Sequence, residues 1–358
     1  MEFTGGGRLE VRLTPSDVGK RVSVRQLTES GSGPEKFTDT VGVLTSWDGG
    51  VLLITRRSGE RVRVPESALV GGKVVPAAPA RRRGPAASFQ ELTRVAARSW
   101  QPVEDEPLGE WRLRAASGFT RRANSVLPLG EPGMPLDAAL ARVRHWYGER
   151  GLPPYIQAAT GAEGTQEVLC AELERRGWLR EVTAEVRVGA LAPLADREVA
   201  EPGTGPFSVR LHRTVDAAWL RRYQRSPGEP GAEVRQVLGA GPSVWFATVP
   251  GPEGPGEPGG PEDAGPGDAG AAGAGAPAAI GRCVVDGRWA GFMAVEVDPA
   301  YRRRGLATAV MAALARRALE EGASAAWLQV EVENTAARAL YDPLGFAIHH
   351  HYHHFRSP

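Results

Sequence analysis

Residues 297–310 read VDPAYRRRGLATAV, three adjacent arginines and a glycine at the point where alanine-rich helical spacing begins. Val295 and Val297 close an alternating apolar run and Pro299 interrupts it, so the arginines fall on a strand-to-helix loop. The helix that follows is expected to present Leu306, Val310, Leu314 and Ala318 on one face, to keep Arg316, Arg317, Glu320 and Glu321 outside, and to stop at Gly322. Amides in the first turn of a helix have no partner within it and lie at the positive end of its dipole; Gly305 and Ala307 offer little side chain to block an approach. Such a loop suits a diphosphate, because successive amides form an anion nest and neighbouring guanidinium groups add charge-assisted bonds to phosphate oxygens. Arginine-rich turns before surface helices are also common, so the loop alone does not identify a ligand.

A second group lies downstream. The strand AWLQVEV (326–332) is followed by ENTAARALYDPLGF (333–346), which places Asn334 beside a helix start, Tyr341 seven residues on, and a Gly-Phe pair at the close. The spacing Arg302-x-x-Gly305-x-Ala307, preceded by the strand and DPAY and followed by Asn334, Tyr341 and LGF, resembles the GNAT acyl-CoA N-acetyltransferases, whose pyrophosphate loop reads R/Q-x-x-G-x-G/A. The resemblance covers about residues 207–358 closely and 89–190 weakly. It implies acetyl-CoA as co-substrate, with Arg302, Arg303, Arg304, Gly305, Leu306, Ala307 and Thr308 around the diphosphate and the backbone from Arg303 to Thr308 making the grip. It also implies that the main chain of Val295 and Val297 pairs with the pantetheine arm, that Asn334 touches that arm, and that Tyr341 protonates the departing thiolate. The chemistry is coherent: the amine must be neutral to attack, the thiolate must not leave bare, and holding both reactants together removes much of the barrier. Direct transfer in a ternary complex is the implied order.

The general base is less plainly marked. In GNAT members that acetylate ribosomal proteins a glutamate on the strand WLxV often serves, and here Gln329 holds that place. Glu331 on the same strand face and Glu296 on the preceding strand are the candidate replacements, since a strand repeats its facing every second residue. For either, a solvated or ion-paired carboxylate is the alternative, with a water chain carrying the proton.

Outward from this region, residues 89–190 show a similar alternation. Helical spacing appears in FQELTRVAARSW, LDAALARVRHWYGERG and QEVLCAELERRG, and strand spacing in EWRLRAA, RRANSVLPL, PPYIQAAT and VTAEVRVG. ELERRGW (172–178) falls on LYDPLGF (340–346), with Gly177 on Gly345 and Trp178 on Phe346, which suggests an internal repeat. Leu173 occupies the place of Tyr341, and no R-x-x-G-x-G/A loop precedes LDAALARV, so the earlier copy is expected to be degenerate. Residues 250–279 contain almost nothing but Pro, Gly, Ala and acids, and are expected to be a disordered insertion within a β-hairpin. Nearer the amino terminus, KRVSVRQL, TVGVLTSW, VLLITRR and ERVRVPESAL alternate with period two between the turns WDGG and RSGE, as a small closed antiparallel unit would. PAAPARRRGPAAS, carrying Arg81, Arg82 and Arg83, reads as a linker.

The expected architecture is α+β: an SH3-like β-barrel over 1–80, a degenerate GNAT-like domain over 81–200 and a catalytic GNAT domain over 201–358, each GNAT half a mixed sheet flanked by helices. The barrel-first layout resembles an actinobacterial group described as histone or protein acetyltransferases. A protein partner for the barrel is consistent with that; between Arg8 and Arg83 fourteen Lys or Arg face eight Asp or Glu, which permits docking on an acidic partner without requiring one.

Composition sets outer bounds. Across 358 residues the net charge is +1 and 42% of the chain is apolar, which suits globular domains and does not indicate a nucleic-acid protein. Cys170 and Cys283 stand far apart without zinc or redox spacing, no run of 18 apolar residues occurs, and no secretory leader is seen, so a reducing cytoplasm and no membrane contact are expected. HHHYHHF (349–355) falls where a last strand is expected; neighbouring histidines there point to opposite faces, so no metal site is expected, though one or more could relay protons at the acceptor entrance. The acceptor is an amine of a protein or a small molecule. The competing class is a non-catalytic acyl-CoA sensor or scaffold, favoured by Gln329 and opposed by the intact loop and Tyr341.

Overall fold

Strands Arg21–Leu27 (β1), Phe37–Asp48 (β2), Val51–Thr55 (β3), Arg61–Pro65 (β4) and Leu69–Val74 (β5) form one antiparallel sheet in the order β4-β3-β2-β1-β5. The computed structural model describes residues 11–28, 37–76, 84–197, 208–223, 230–251 and 276–358. The long β2 serves both neighbours, with its first half paired to β1, its second half to β3, and a register shift between Leu44 and Ser46. Inward-facing Val22, Val24, Leu44, Leu52, Ile54 and Val64 form its core with Leu13, as period-two alternation requires. The turn between β3 and β4 then reaches the rest of the chain: Arg57 Nη2 donates to the carbonyls of Ile348 (3.0 Å) and His349 (2.7 Å), and Gly59 O accepts from Arg180 Nη1 at 2.8 Å.

The middle of the chain opens with helix Phe89–Ser99 (α1), capped by the Ser88 hydroxyl at the Glu91 amide. Strands Glu104–Leu108 (β6), Trp111–Ala115 (β7) and Leu127–Pro128 (β8) make a three-stranded sheet, followed by helix Leu136–Gly148 (α2), strand Tyr155–Thr160 (β9), helix Glu167–Arg175 (α3), strand Leu179–Ala190 (β10) and the short helix Ala192–Ala195 (α4). One expectation needs correction here. RRANSVLPL is largely not a strand: Arg121–Ala123 form a 3-10 turn and only Leu127–Pro128 extend. The cause is Asn124, whose Oδ1 accepts from the amides of Ala116 (2.8 Å) and Gly118 (2.9 Å) while its Nδ2 donates to Thr120 O (3.0 Å), offering the backbone a local alternative to the ladder.

The remaining elements are strand Arg210–His212 (β11), helices Ala217–Arg222 (α5) and Ala232–Gly239 (α6), strands Ser243–Val249 (β12), Ala279–Asp286 (β13) and Trp289–Val297 (β14), helix Leu306–Glu320 (α7), strand Ala325–Glu331 (β15), helix Thr335–Tyr341 (α8) and strand Ala347–Arg356 (β16). β12 and β13 pair as a hairpin from Ser243↔Val285 to Val249↔Ala279. Most of the Pro/Gly/Ala insertion between them, residues 252–275, lies outside the described residues, as do Arg81, Arg82 and Arg83.

The eight long-range strands share one sheet in the order β11-β12-β13-β14-β15-β10-β16-β9. The succession β9-α3-β10 repeats as β15-α8-β16, and in both copies the helix closes on a glycine of positive φ, +78° at Gly177 and +86° at Gly345, followed by a buried aromatic, Trp178 or Phe346. The copies are interlocked. β10 of the first lies between β15 and β16 of the second, and β16 of the second lies between β10 and β9 of the first. One face of the sheet packs on α7 through Leu306, Val310 and Leu314; the other packs on α1, α5 and α6 through Trp219, Trp289 and Trp327. Among the described residues no helix is long and apolar enough to cross a membrane.

Candidate active site

β14 and β15 run parallel and are joined only from Trp289–Phe292 to Ala325–Leu328. Beyond Phe292 the ladder stops, and Ala294 adopts a φ of +50° beside a register shift against β13. A strand's polar groups alternate between its two edges. The Asp298 amide is spent on Ala278 O at 2.9 Å, so the main-chain groups of Val297, and two residues back of Val295, face the edge that β15 has left. That is where an extended amide-bearing chain can add itself as a strand.

The loop above this gap is held from below and open above. Asp298 Oδ1 accepts from the Ala300 amide at 2.8 Å and its carboxylate pairs with Arg222, fixing the turn Pro299–Tyr301. Arg303 (φ +64°) and Gly305 (φ +78°) then reverse the backbone into α7, whose start has no side-chain cap. Arg302, Arg303, Arg304 and Gly305 are exposed, with Arg304 5.4 Å from the Tyr301 ring centre, and a Cβ placed on Gly305 would meet nothing within 4 Å. Leu306 sends its side chain into the core at 4% exposure, so only its amide can reach the loop; Ala307 and Thr308 are half-buried. A pyrophosphate fits such a nest, with charge at the rim and open backbone at the centre.

Tyr341 closes α8 on the same face, 9% exposed, its ring 5.9 Å from Phe346 in an edge-on contact. Asn334 is the N-cap of that helix: its Oδ1 accepts from the Ala337 amide at 3.0 Å, which leaves the amide nitrogen for other contacts. The helix is tied to the first copy's strand β10. Arg187, 2% exposed, pairs with Glu185 (2.6 Å) and with Asp342 (2.5 Å) directly after Tyr341, while Arg338 of α8 pairs with Glu185 at 3.1 Å. Sequence reasoning missed this network because its partners lie on different copies.

On the opposite face stand the candidate bases. Leu328 and Val330 pack toward α7, so Gln329 and Glu331 point the other way; Val295 and Val297 likewise leave Glu296 on that side. Glu331 lines a cleft of about 480 Å³, its open mouth included, together with Arg122, Tyr352 and His354. Glu296 lines neither of the two described cavities. The histidines of β16 are packed side chains: His353 bonds to Thr160 (3.0 Å) and Thr183 (2.9 Å), and burial pushes it down to about 2. Burial likewise holds His350 and His354 well below the usual imidazole range. Both cysteines are buried, and burial pushes the Cys283 thiol up to about 12, away from nucleophilic use.

Residues 86–355 match the family described as "Probable histone acetyltransferase Rv0428c C-terminal". The "Probable histone acetyltransferase Rv0428c" of Mycobacterium tuberculosis is 28% identical over 341 residues, covering 93% of each chain. Among solved structures, a GCN5-related N-acetyltransferase from Kribbella flavida superposes with a TM-score of 0.52 at 15% identity over 76% of this chain and 97% of its own. A tandem GNAT protein from the clavulanic acid biosynthesis pathway gives 0.50 at 14% identity over 76% and 90%. Both structures support the fold.

Proposed function

The chain belongs to the Rv0428c C-terminal family of GNAT N-acetyltransferases, and on that premise we propose that it moves an acetyl group from acetyl-CoA to an amine through the gap between β14 and β15. What supports the reading is that the uncapped loop at Gly305 leads into Leu306, which packs in one cluster with Val295, Val297 and Tyr341 on the sheet face where β15 parts from β14. The coenzyme supplies an activated acetyl thioester. The nest from Arg303 to Thr308, rimmed by Arg302, Arg303 and Arg304, holds the diphosphate; Val295 and Val297 align the pantetheine, and Asn334 steadies it. Glu331, directly or through a water, takes the proton of the incoming ammonium, with Glu296 farther out on the same face. As the carbon–nitrogen bond forms and the carbon–sulfur bond breaks, Tyr341 O–H delivers a proton to the leaving sulfur, and the second proton that the new amide nitrogen sheds passes through water and restores the phenol.

In the same reading residues 1–80 are an SH3-like unit for protein contact, 81–200 the copy without tools and 201–358 the working copy. The test uses the full chain with acetyl-CoA and a panel of amines, following free thiol. Release with first-order dependence on amine supports transfer; tight coenzyme binding by calorimetry with no release for any amine favours the sensor reading, which Gln329 in the usual place of a carboxylate would then explain.

A further inference from the structure

Arg122 is 8% exposed, and a guanidinium so largely withdrawn from water favours acceptors for its five N–H groups, of which those not bonded to the protein open onto the cleft. Its Nε donates to the Tyr352 hydroxyl at 2.9 Å, and its charge lies 5.7 Å from the ring centre of Trp100 and 5.8 Å from that of Tyr352. Among the described residues no carboxylate and no further acceptor meets it. Arg282 shows how a structural arginine is satisfied in this fold: it is fully buried and donates to the carbonyls of Leu238 (2.6 Å), Ser99 (3.0 Å) and Ala240 (2.7 Å). Arg122 instead stands where two cavities adjoin, the cleft that holds Glu331 and a narrower one running back past Gln329, Trp100 and Arg114.

Other polar groups there are equally unspent. Among the described residues, His354, 3% exposed, lines the cleft with neither ring nitrogen bonded, and the Trp100 indole N–H and the Gln329 carbonyl oxygen are buried without partners. Behind them the guanidinium of Arg114, a residue 4% exposed, is bonded among the described residues to the uncharged Ser125 and Gln157. Among the described residues Glu331 is the one acid that lines either cavity. The cleft thus sets a buried cation with free donors across from a single carboxylate.

We propose that this cleft selects a small acceptor carrying a carboxylate on the same molecule as its reacting amine, the carboxylate bound by Arg122 and the amine held on the Glu331 side. The inference rests on the acetyl-transfer reading above. A bare alkylamine or polyamine would leave Arg122 unanswered and meet its charge, whereas an amino acid matches both ends.

The test is thiol release by the full chain with matched pairs: γ-aminobutyrate against butylamine, L-lysine against cadaverine, L-phenylalanine against phenethylamine. At least one carboxylate-bearing member is expected to exceed its partner by ~10- to 100-fold in kcat/KM, the range of a hydrogen bond to a charged group. Arg122→Gln should shrink that ratio toward one, and Arg122→Lys should recover part of it. Melting temperature and coenzyme heat distinguish a lost contact from a lost fold. Should Arg122→Gln not fold, the wild-type chain decides: butyrate or phenylpropionate should compete with the amine, and the matching amides should not. Amine turnover without a carboxylate preference in any pair, or a histone peptide favoured more than tenfold over every small amine, overturns this inference and leaves acetyl transfer standing. Intact coenzyme binding without thiol release from any amine overturns the transfer reading, and this inference with it.

Discussion

Gly305 combines two demands that only glycine meets easily, a φ of +78° and an unobstructed backbone at the start of α7. Since a Cβ there would meet nothing within 4 Å among the described residues, the effect of substitution is expected to come from backbone conformation or from the ligand. Gly305→Val should cost about 1–2 kcal/mol of stability and remove measurable coenzyme heat in calorimetry, whereas Gly305→Asn, which tolerates the left-handed region, should keep most of the stability. Tyr341→Phe retains the ring contact with Phe346, so melting and coenzyme affinity should hold while kcat falls ~100-fold or more; unchanged turnover would remove Tyr341 from the chemistry. These residues were legible in the sequence because a helix start, a glycine and a spaced tyrosine are local signals. Arg122 was not, since it lies in RRANSVLPL, where the extended pattern hid a loop built by Asn124. Its worth depends on Tyr352, far away in the chain.

α7 was readable end to end, from the buried Leu306, Val310, Leu314 and Ala318 to its stop at Gly322, φ +89°. β6 was not, because EDEPL carries acids and a proline where a strand signal expects β-branched residues; it survives as an edge strand. The link between α8 and β10 gives the prediction that belongs at this scale. Glu185 and Arg187 are each 2% exposed, so Arg187→Met leaves Glu185 a buried carboxylate whose remaining ion pair among the described residues is with Arg338. It should destabilise the chain by about 3–5 kcal/mol in denaturant unfolding, and Glu185→Leu in the same background should restore much of that loss. If the single variant melts like wild type, the network does not hold α8.

At the scale of the molecule, stability should follow the histidines of β16. Burial lowers His349, His350, His351, His353 and His354 below the ordinary 6.5, so the unfolded chain takes up protons first. The stabilising contribution of these groups is therefore whole above about pH 6.5 and drains as the medium grows more acidic, by up to about 1.4 kcal/mol per pH unit for each histidine. Melting temperature should be flat from about pH 7 to pH 8 and fall steeply toward pH 5; a flat acid limb would contradict the burial of these rings. The strand order was invisible in the sequence, since periodicity tells which face is buried and not which strand lies alongside. The topology predicts that residues 201–358 alone, lacking β10, will not give a sharp melting transition, and that supplying residues 84–200 as a separate chain will restore one. Because β10 and β16 are interleaved, deletion of either segment would take a strand from the interior of the sheet, so neither half of this chain can be shed without leaving the other with unpaired strand edges.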